Sequence, residues 1–237
     1  MKSKSFPWIF SLLWLSILLV MIWAGFWQLG RAEEKKLIKE RVSAGVYHRP
    51  KSILEWEQLK SFDAVGIEGK FASMHLLQDN QILDGQIGYF VYTAFKTRQG
   101  VWLWVNRGWT ATKSDSYDLS DELVSIKGLV GEWPRPGIQL GEQNIANTVL
   151  QHVTYLPQES VYSALRQRLC QQEQDNECIM LSVVFKLDPE AKNGFVRKWQ
   201  LPRMTAEKHQ AYAAQWFTMS LVLCLVYIIF LRKHYVG

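Results

Sequence analysis

The sequence predicts an α+β membrane protein: two transmembrane helices, N- and C-terminal, flank one extramembrane domain with a mostly antiparallel β-sheet or partly closed barrel. Three observations predict it. The 237-residue chain has an ordinary hydrophobic content of 48%, yet its longest apolar blocks stand near the two ends. The residues between them mix polar and apolar side chains. From residue 66 onward that mixture falls into short aromatic and β-branched runs separated by turn residues, the pattern of paired strands.

Residues 8–27 (WIFSLLWLSILLVMIWAGFW) carry no charge, and at 1.5 Å per residue such a run crosses roughly 30 Å of hydrocarbon. Lys2 and Lys4 give it the basic front of a secretory signal, but the run is too long and no small-x-small cleavage site follows. A retained anchor is therefore expected. Residues 1–7 are assigned to an inner tail and 8–29 to the first span. Residues 211–231 form the second apolar block, closed by Arg232, Lys233 and His234 as a basic stop. The second span is assigned to 209–231, an inner tail to 232–237 and the extramembrane domain to 30–208. Two spans place both ends on one side. Arg31, Lys35, Lys36, Lys39 and Arg41 outnumber Lys2 and Lys4, so charge does not orient the chain, and long domains translocate largely regardless of it.

The first helix is expected to continue beyond the lipid through helix formers until Gly45 and Pro50. In SILEWEQLK, Ser52 and Glu55 have capping-box spacing ahead of a short helix with Ile53, Leu54, Trp56 and Leu59 on its apolar side. Strands follow in GIEGKF, GYFVYTAFKT and GVWLWVNRGWT, the last two joined by a turn over residues 97–100. Further strands are expected in LVSIKGLVG, NTVLQHV and IMLSVVFKL. One helix interrupts them over residues 160–169, where Val161, Leu165 and Leu169 repeat every fourth residue. Residues 132–141 (EWPRPGIQLG) read as an irregular loop.

The net charge is +5, but acids are interspersed throughout and no basic stripe carries interleaved aromatics, so nucleic acid is not an expected partner. H-E-x-x-H, G-x-S-x-G, the phosphate-cradling G-x-x-x-x-G-K-[ST] and G-x-G-x-x-G are all missing, and the five histidines are scattered. A non-enzymatic role is expected. Of the three cysteines, Cys224 falls within the second span, while Cys170 and Cys178 enclose QQEQDNE. That pair suits a short disulfide loop in an oxidising compartment or two inert thiols; its spacing is unlike a redox or zinc motif.

The residues at the membrane ends carry the remaining chemistry. GFWQLGR (25–31) leaves the first span through Trp27, Gln28 and Arg31, and the second helix enters at matching depth through His209, Tyr212, Gln215 and Trp216. His209 and Trp216 are two helical turns apart and share a face, with Ala213 between them as a notch. Such a notch suits a flat apolar ligand with a central metal, His209 supplying the metal-ligating imidazole and Trp216 a packing surface. Arg31, Lys35 or Arg203 would pair with carboxylates at the aqueous edge. The same residues also suit simple interfacial anchoring and close helix packing.

Three ordered motifs carry a resemblance across essentially the whole chain. They are G-x-W-Q-x-x-R (Gly25, Trp27, Gln28, Arg31), V-N-R-G-W (Val105, Asn106, Arg107, Gly108, Trp109) and H-x-x-Y-A-x-x-W-F (His209, Tyr212, Ala213, Trp216, Phe217). On these residues the chain resembles the surfeit-locus assembly factors of cytochrome c oxidase. The resemblance implies a bacterial inner-membrane protein with cytoplasmic termini and a periplasmic domain, not an enzyme, that binds haem a transiently and assists its insertion into subunit I. It implies as partners subunit I, oxidase assembly intermediates, membrane lipid and the haem a synthesis enzyme. His209 becomes the candidate iron ligand, with Trp216, Tyr212, Trp27, Gln28 and Arg31 around the cofactor. The V-N-R-G-W segment reads first as architecture, Gly108 permitting an unusual backbone and Trp109 capping the core, and second as an oxidase-facing contact. Two rival functions are a cofactor-free scaffold for oxidase intermediates and a membrane-anchored thiol oxidoreductase using Cys170 and Cys178.

Overall fold

The computed structural model describes residues 8–114, 117, 121–135, 141, 143–171, 178–199 and 204–236. The chain forms two compact units, Arg41–Trp199 on the one hand and Met1–Glu40 with Gln200–Gly237 on the other.

The second of these is a helical hairpin. Helix α1 spans Trp8–Ser43 and α4 spans Ala206–Val236. Both are long and apolar enough to cross a membrane. They pair antiparallel: Phe10 meets Phe230 at 4.7 Å between ring centroids, Trp14 stacks on Tyr227 at 4.2 Å, and Phe26 packs edge-on against Phe217 at 5.3 Å. Two polar contacts fix the register: the Trp14 indole donates to the Leu223 carbonyl (3.1 Å) and the Tyr227 hydroxyl to Ser11 Oγ (2.5 Å). Between lipid-facing helices there is no aqueous hydrophobic drive, so close approach of small residues and interhelical hydrogen bonds hold the pair. Ala24, Gly25 and Ala32 on α1 and Ala213 and Ser220 on α4 are the small residues buried here.

The unit Arg41–Trp199 is built on a six-stranded mixed sheet. Its strands are β1 (Ala64–Leu83), β2 (Gln86–Thr97), β3 (Trp102–Thr110), β4 (Val124–Glu132), β5 (Leu150–Val153) and β6 (Met180–Leu187). The order is β2-β3-β6-β4-β1-β5, and β1 also pairs with β2, so five strands close a ring of backbone pairings. The long, kinked β1 makes this possible. Residues 64–69 pair with β4, residues 69–83 pair with β2, and register shifts fall between Phe71 and His75 and between Gln78 and Gln81. Four of the pairings are antiparallel, whereas β1–β5 and β3–β6 are parallel.

Alternation along β3 divides the core. Leu103 and Val105 join a cluster with Val65, Ile67, Phe95 and Phe185, while Trp102 and Trp104 join Met74, Leu76 and Tyr92. Helix α3 (Gln158–Leu165) covers the second cluster through Val161, Ala164 and Leu165. With both faces buried, β3 needs no polar alternation, which explains its near-continuous apolar run. Past Leu165 the helix widens into a π turn, Arg166–Cys170, so the expected helix over 160–169 starts two residues early and changes winding at Arg166. The short helix α2 (Ile53–Glu57) starts where Ser52 Oγ accepts from the Glu55 N–H (3.3 Å), although Glu55 returns its carboxylate to the Lys51 N–H (2.9 Å). Of the expected loop over 132–141, residues 136–140 lie outside the described residues.

Candidate functional site

Thr205 starts α4: its hydroxyl accepts from the Lys208 N–H (3.4 Å), its carbonyl accepts from the His209 N–H (3.2 Å), and Glu207 places an acid in the first turn. An acceptor at the cap and a negative charge beside it satisfy the positive end of a helix. His209 therefore sits one turn inside the helix start, with its side chain on the stripe that also carries Ala213 and Ser220. All three are buried, at 5%, 1% and 5% relative exposure, whereas Tyr212 on another face is 45% exposed. Trp216 is half-buried and Trp27 is 51% exposed.

The facing residue on α1 is Gln28. His209 Nδ1 and Gln28 Oε1 are 2.7 Å apart, a side-chain hydrogen bond across the hairpin. With the amide carbonyl as acceptor, Nδ1 must be the donor, so the neutral ring keeps its lone pair on Nε2. Such an imidazole offers one well-defined nitrogen ligand. Three residues before Gln28, Gly25 lets the helices close: a β-carbon there would come within 2.6 Å of the Phe217 ring.

The notch expected over Ala213 is filled. At 1% exposure Ala213 packs within the hairpin rather than leaving a slot between imidazole and indole; an alanine facing another helix permits backbone approach, which removes the space its small size opens. Open volume lies instead one turn toward the start of α4. A cavity of about 250 Å³ is lined there by Lys35, Ile38, Lys39, Met204, Thr205 and Glu207. Pockets for drug-sized ligands run from about 300 Å³ upward, so this one suits a substituent of a larger ligand rather than a whole macrocycle.

The cations of the expected aqueous edge are only partly available. Arg31 is ion-paired with Glu34, which also approaches Lys35 Nζ at 3.6 Å. Lys39 faces Glu207 across the hairpin at 3.8 Å, a contact that the sequence reading missed. Its only signal was that Lys39 follows Lys35 by one turn. Arg203 lies outside the described residues.

The V-N-R-G-W segment is an internal clamp. Asn106, Arg107 and Trp109 are all buried. The Arg107 guanidinium donates to the carbonyls of Tyr117 (2.7 Å) and Asn193 (2.9 Å) and lies over the Phe195 ring at 5.1 Å. Gly108 adopts φ +111°, and a β-carbon there would meet the Val196 carbonyl oxygen at 2.7 Å. Trp109 exchanges both backbone hydrogen bonds with Val196 and caps β1 through its indole, which donates to the Gln81 carbonyl (2.7 Å). Buried in this way, the segment fastens residues 193–197 onto β3.

Cys170 and Cys178 form a disulfide with Cα atoms 5.8 Å apart, and Cys170 is buried. Among the described residues no group of three His, Cys, Asp or Glu is placed to hold a metal ion.

The fold and site define a class by their parts: two helices long and apolar enough to cross a membrane, joined by an interhelical imidazole–amide contact, and a mixed-sheet domain whose V-N-R-G-W motif is built into its core. A family model described as the SURF1 family matches residues 15–221. The chain belongs to that family, known as a family of cytochrome oxidase assembly factors. It is similar to a SURF1-like protein of Rickettsia conorii, 23% identical over 91% of this chain and 88% of the relative. It is also similar to SURF1-like proteins of Rickettsia felis (22% identical, 90% and 93% covered) and Dictyostelium discoideum (22%, 88% and 91%).

Proposed function

We propose that this chain is a bacterial inner-membrane assembly factor for a haem-copper cytochrome c oxidase, and that it binds haem a and assists its insertion into subunit I. The observation that carries the reading is the hydrogen bond from His209 to Gln28, because an imidazole that donates through Nδ1 keeps the Nε2 lone pair for a metal, near the start of α4. The donor chemistry suits the cargo: a neutral imidazole would supply a nitrogen ligand to haem iron, and a bond from this one residue would be labile enough for transfer. Trp216, Tyr212 and Trp27, half-buried to exposed at the same end of the helix pair, are the aromatic side chains assigned to the cofactor on this reading. Lys35 and Lys39, which line the cavity by the start of α4, are the cations for carboxylate substituents, with Arg31 beside them; all three would exchange their present partners, Glu34 and Glu207, for the ligand. No catalytic step is assigned to the chain.

The disulfide supports a periplasmic domain, since such bonds persist in oxidising compartments. Two spans then leave both termini cytoplasmic. Subunit I, assembly intermediates, the haem a synthesis enzyme and lipid are the partners on this reading. The thiol oxidoreductase reading is disfavoured by the burial of Cys170, because reactive cysteines sit in accessible, electropositive surroundings.

The test is the absorption spectrum of the full chain purified from cells that make haem a. Wild type is expected to carry the haem a bands and His209→Ala to lose at least nine-tenths of them. Full retention by the variant would remove His209 as the ligand. A wild type without haem in every preparation, still associating with subunit I, would establish the cofactor-free scaffold instead.

A further inference from the structure

Resting on the haem reading above, we infer that Gln28 is a positioning residue: its side-chain carbonyl selects the tautomer of His209 and so decides which imidazole nitrogen is the ligand. A histidine side chain free in water prefers its proton on Nε2, which would block that nitrogen. At 2.7 Å the Gln28 carbonyl accepts a hydrogen bond from Nδ1–H and so favours the tautomer with its proton on Nδ1. His209 is buried and has no hydrogen-bond partner for Nε2 among the described residues, so the preference is set by this one contact.

The geometry has little freedom. Gln28 lies on the α1 stripe that continues through Gly25 and Ala32, both buried in the hairpin, and Gly25 is in contact with Phe217. The amide is therefore held on a rigid element opposite a rigid element, the arrangement that fixes a ligand before it binds. Ligating histidines generally hand their second ring N–H to an acceptor that fixes ring and tautomer. Here the acceptor is a neutral amide and comes from the other helix. A neutral partner orients the ring without giving it the added basicity that a carboxylate would, which suits a ligand that must let its cargo go. Because donor and acceptor sit on different helices, separation of the helices at this level would also undo the selection.

The experiment uses the full chain in detergent, with haem as the titrant, and reads two quantities. The first is the tautomer of His209 without haem, from the nitrogen chemical shifts of ¹⁵N-labelled imidazole. The second is haem affinity from optical titration. Wild type is expected to carry its proton on Nδ1, with Nε2 of the unprotonated type. Gln28→Leu, which removes the acceptor, is expected to show mixed tautomers and to bind haem about 10-fold to 100-fold more weakly. Gln28→Glu, which restores an acceptor at the same reach and adds basicity, is expected to recover the tautomer and to bind haem at least as tightly as wild type. Gln28→Lys keeps length and polarity but only donates, and is expected to bind no better than Gln28→Leu. A wild-type proton on Nε2 overturns the inference, as does a Gln28→Leu variant that binds like wild type, or a Gln28→Lys variant that binds like Gln28→Glu. If wild type shows the Nδ1 proton but takes up no haem, the tautomer lock stands and the haem reading falls.

Discussion

Tyr47 shows how a single contact sets a pH window. Its hydroxyl donates to Asp188 Oδ2 at 2.6 Å. That hydrogen bond, with burial and the negative charges of Asp188 and Glu190 adding to it, pushes the phenol up from 10.0 to about 12. The folded chain keeps a proton that the unfolded chain releases near pH 10, so the contribution is whole below pH 10 and is lost as the pH rises to about 12. Urea unfolding of wild type and Tyr47→Phe across that range is expected to show a falling stability difference, reaching zero at the top; a constant difference would mean that the bond is not linked to ionisation. Gly108 works through backbone rather than charge. Its φ of +111° and its contact with the Val196 carbonyl leave no room for a side chain, so the glycine of V-N-R-G-W answers to the packing of residues 193–197. The motif was visible in the sequence. Its partner was not, because Val196 is far along the chain and nothing local marks it.

At the scale of elements, the region after α3 is held by a cross-link rather than by regular winding. The π turn Arg166–Cys170 delivers Cys170 into the core beside Trp102, Trp104 and Leu165, and the disulfide joins it to Cys178, two residues before β6 begins. Closing a loop of this size restricts the unfolded chain by about 2.5 kcal/mol in the chain-entropy account. Replacing both cysteines with serine is expected to destabilise the domain by about 2 to 4 kcal/mol, a polar group then being buried at position 170. Thermal unfolding of the oxidised wild type against the double variant measures it, and an unchanged midpoint would show the bridge to be dispensable. Spacing alone left both a disulfide and free thiols open, since pairing depends on where α3 and β6 bring the two residues. Strand β1 carries the same lesson. Its first residues, GIEGKF, read as a strand, but ASMHLLQDNQIL has few β-branched residues and becomes extended only because β2 and β5 pair along it.

At the scale of the whole molecule, two sets of forces act on one chain. The hairpin is held by small residues, ring contacts and a few hydrogen bonds between apolar helices. The unit Arg41–Trp199 has its own two-part core, with Val65, Phe95, Val105 and Leu187 fully buried in one part and Met74 and Leu165 in the other. A unit with its own core should fold without the rest. Residues 41–199, expressed under oxidising conditions, are accordingly expected to give a soluble monomer with one cooperative thermal transition. A species that binds hydrophobic dye and melts without cooperativity would show that the helices are needed for its packing.

The sequence by itself determined the two spans, the α+β class, most of the strands and the three family motifs. Those properties are written in composition and in short-range periodicity: uncharged runs of some 20 residues, alternating aromatic and β-branched segments, and turn residues between them. It also placed Trp27, Gln28 and Arg31 at the same membrane depth as His209, Tyr212, Gln215 and Trp216, because two antiparallel helices of fixed rise bring those positions level. Only the tertiary structure decided the rest. The closure of β1 onto both β2 and β4, the parallel pairings, the pairing of Cys170 with Cys178 and the filling of the space over Ala213 all depend on residues far apart in the chain. So does the carbonyl that holds His209 by Nδ1, since a side chain's tautomer is set by what stands within hydrogen-bonding distance and not by its neighbours in sequence.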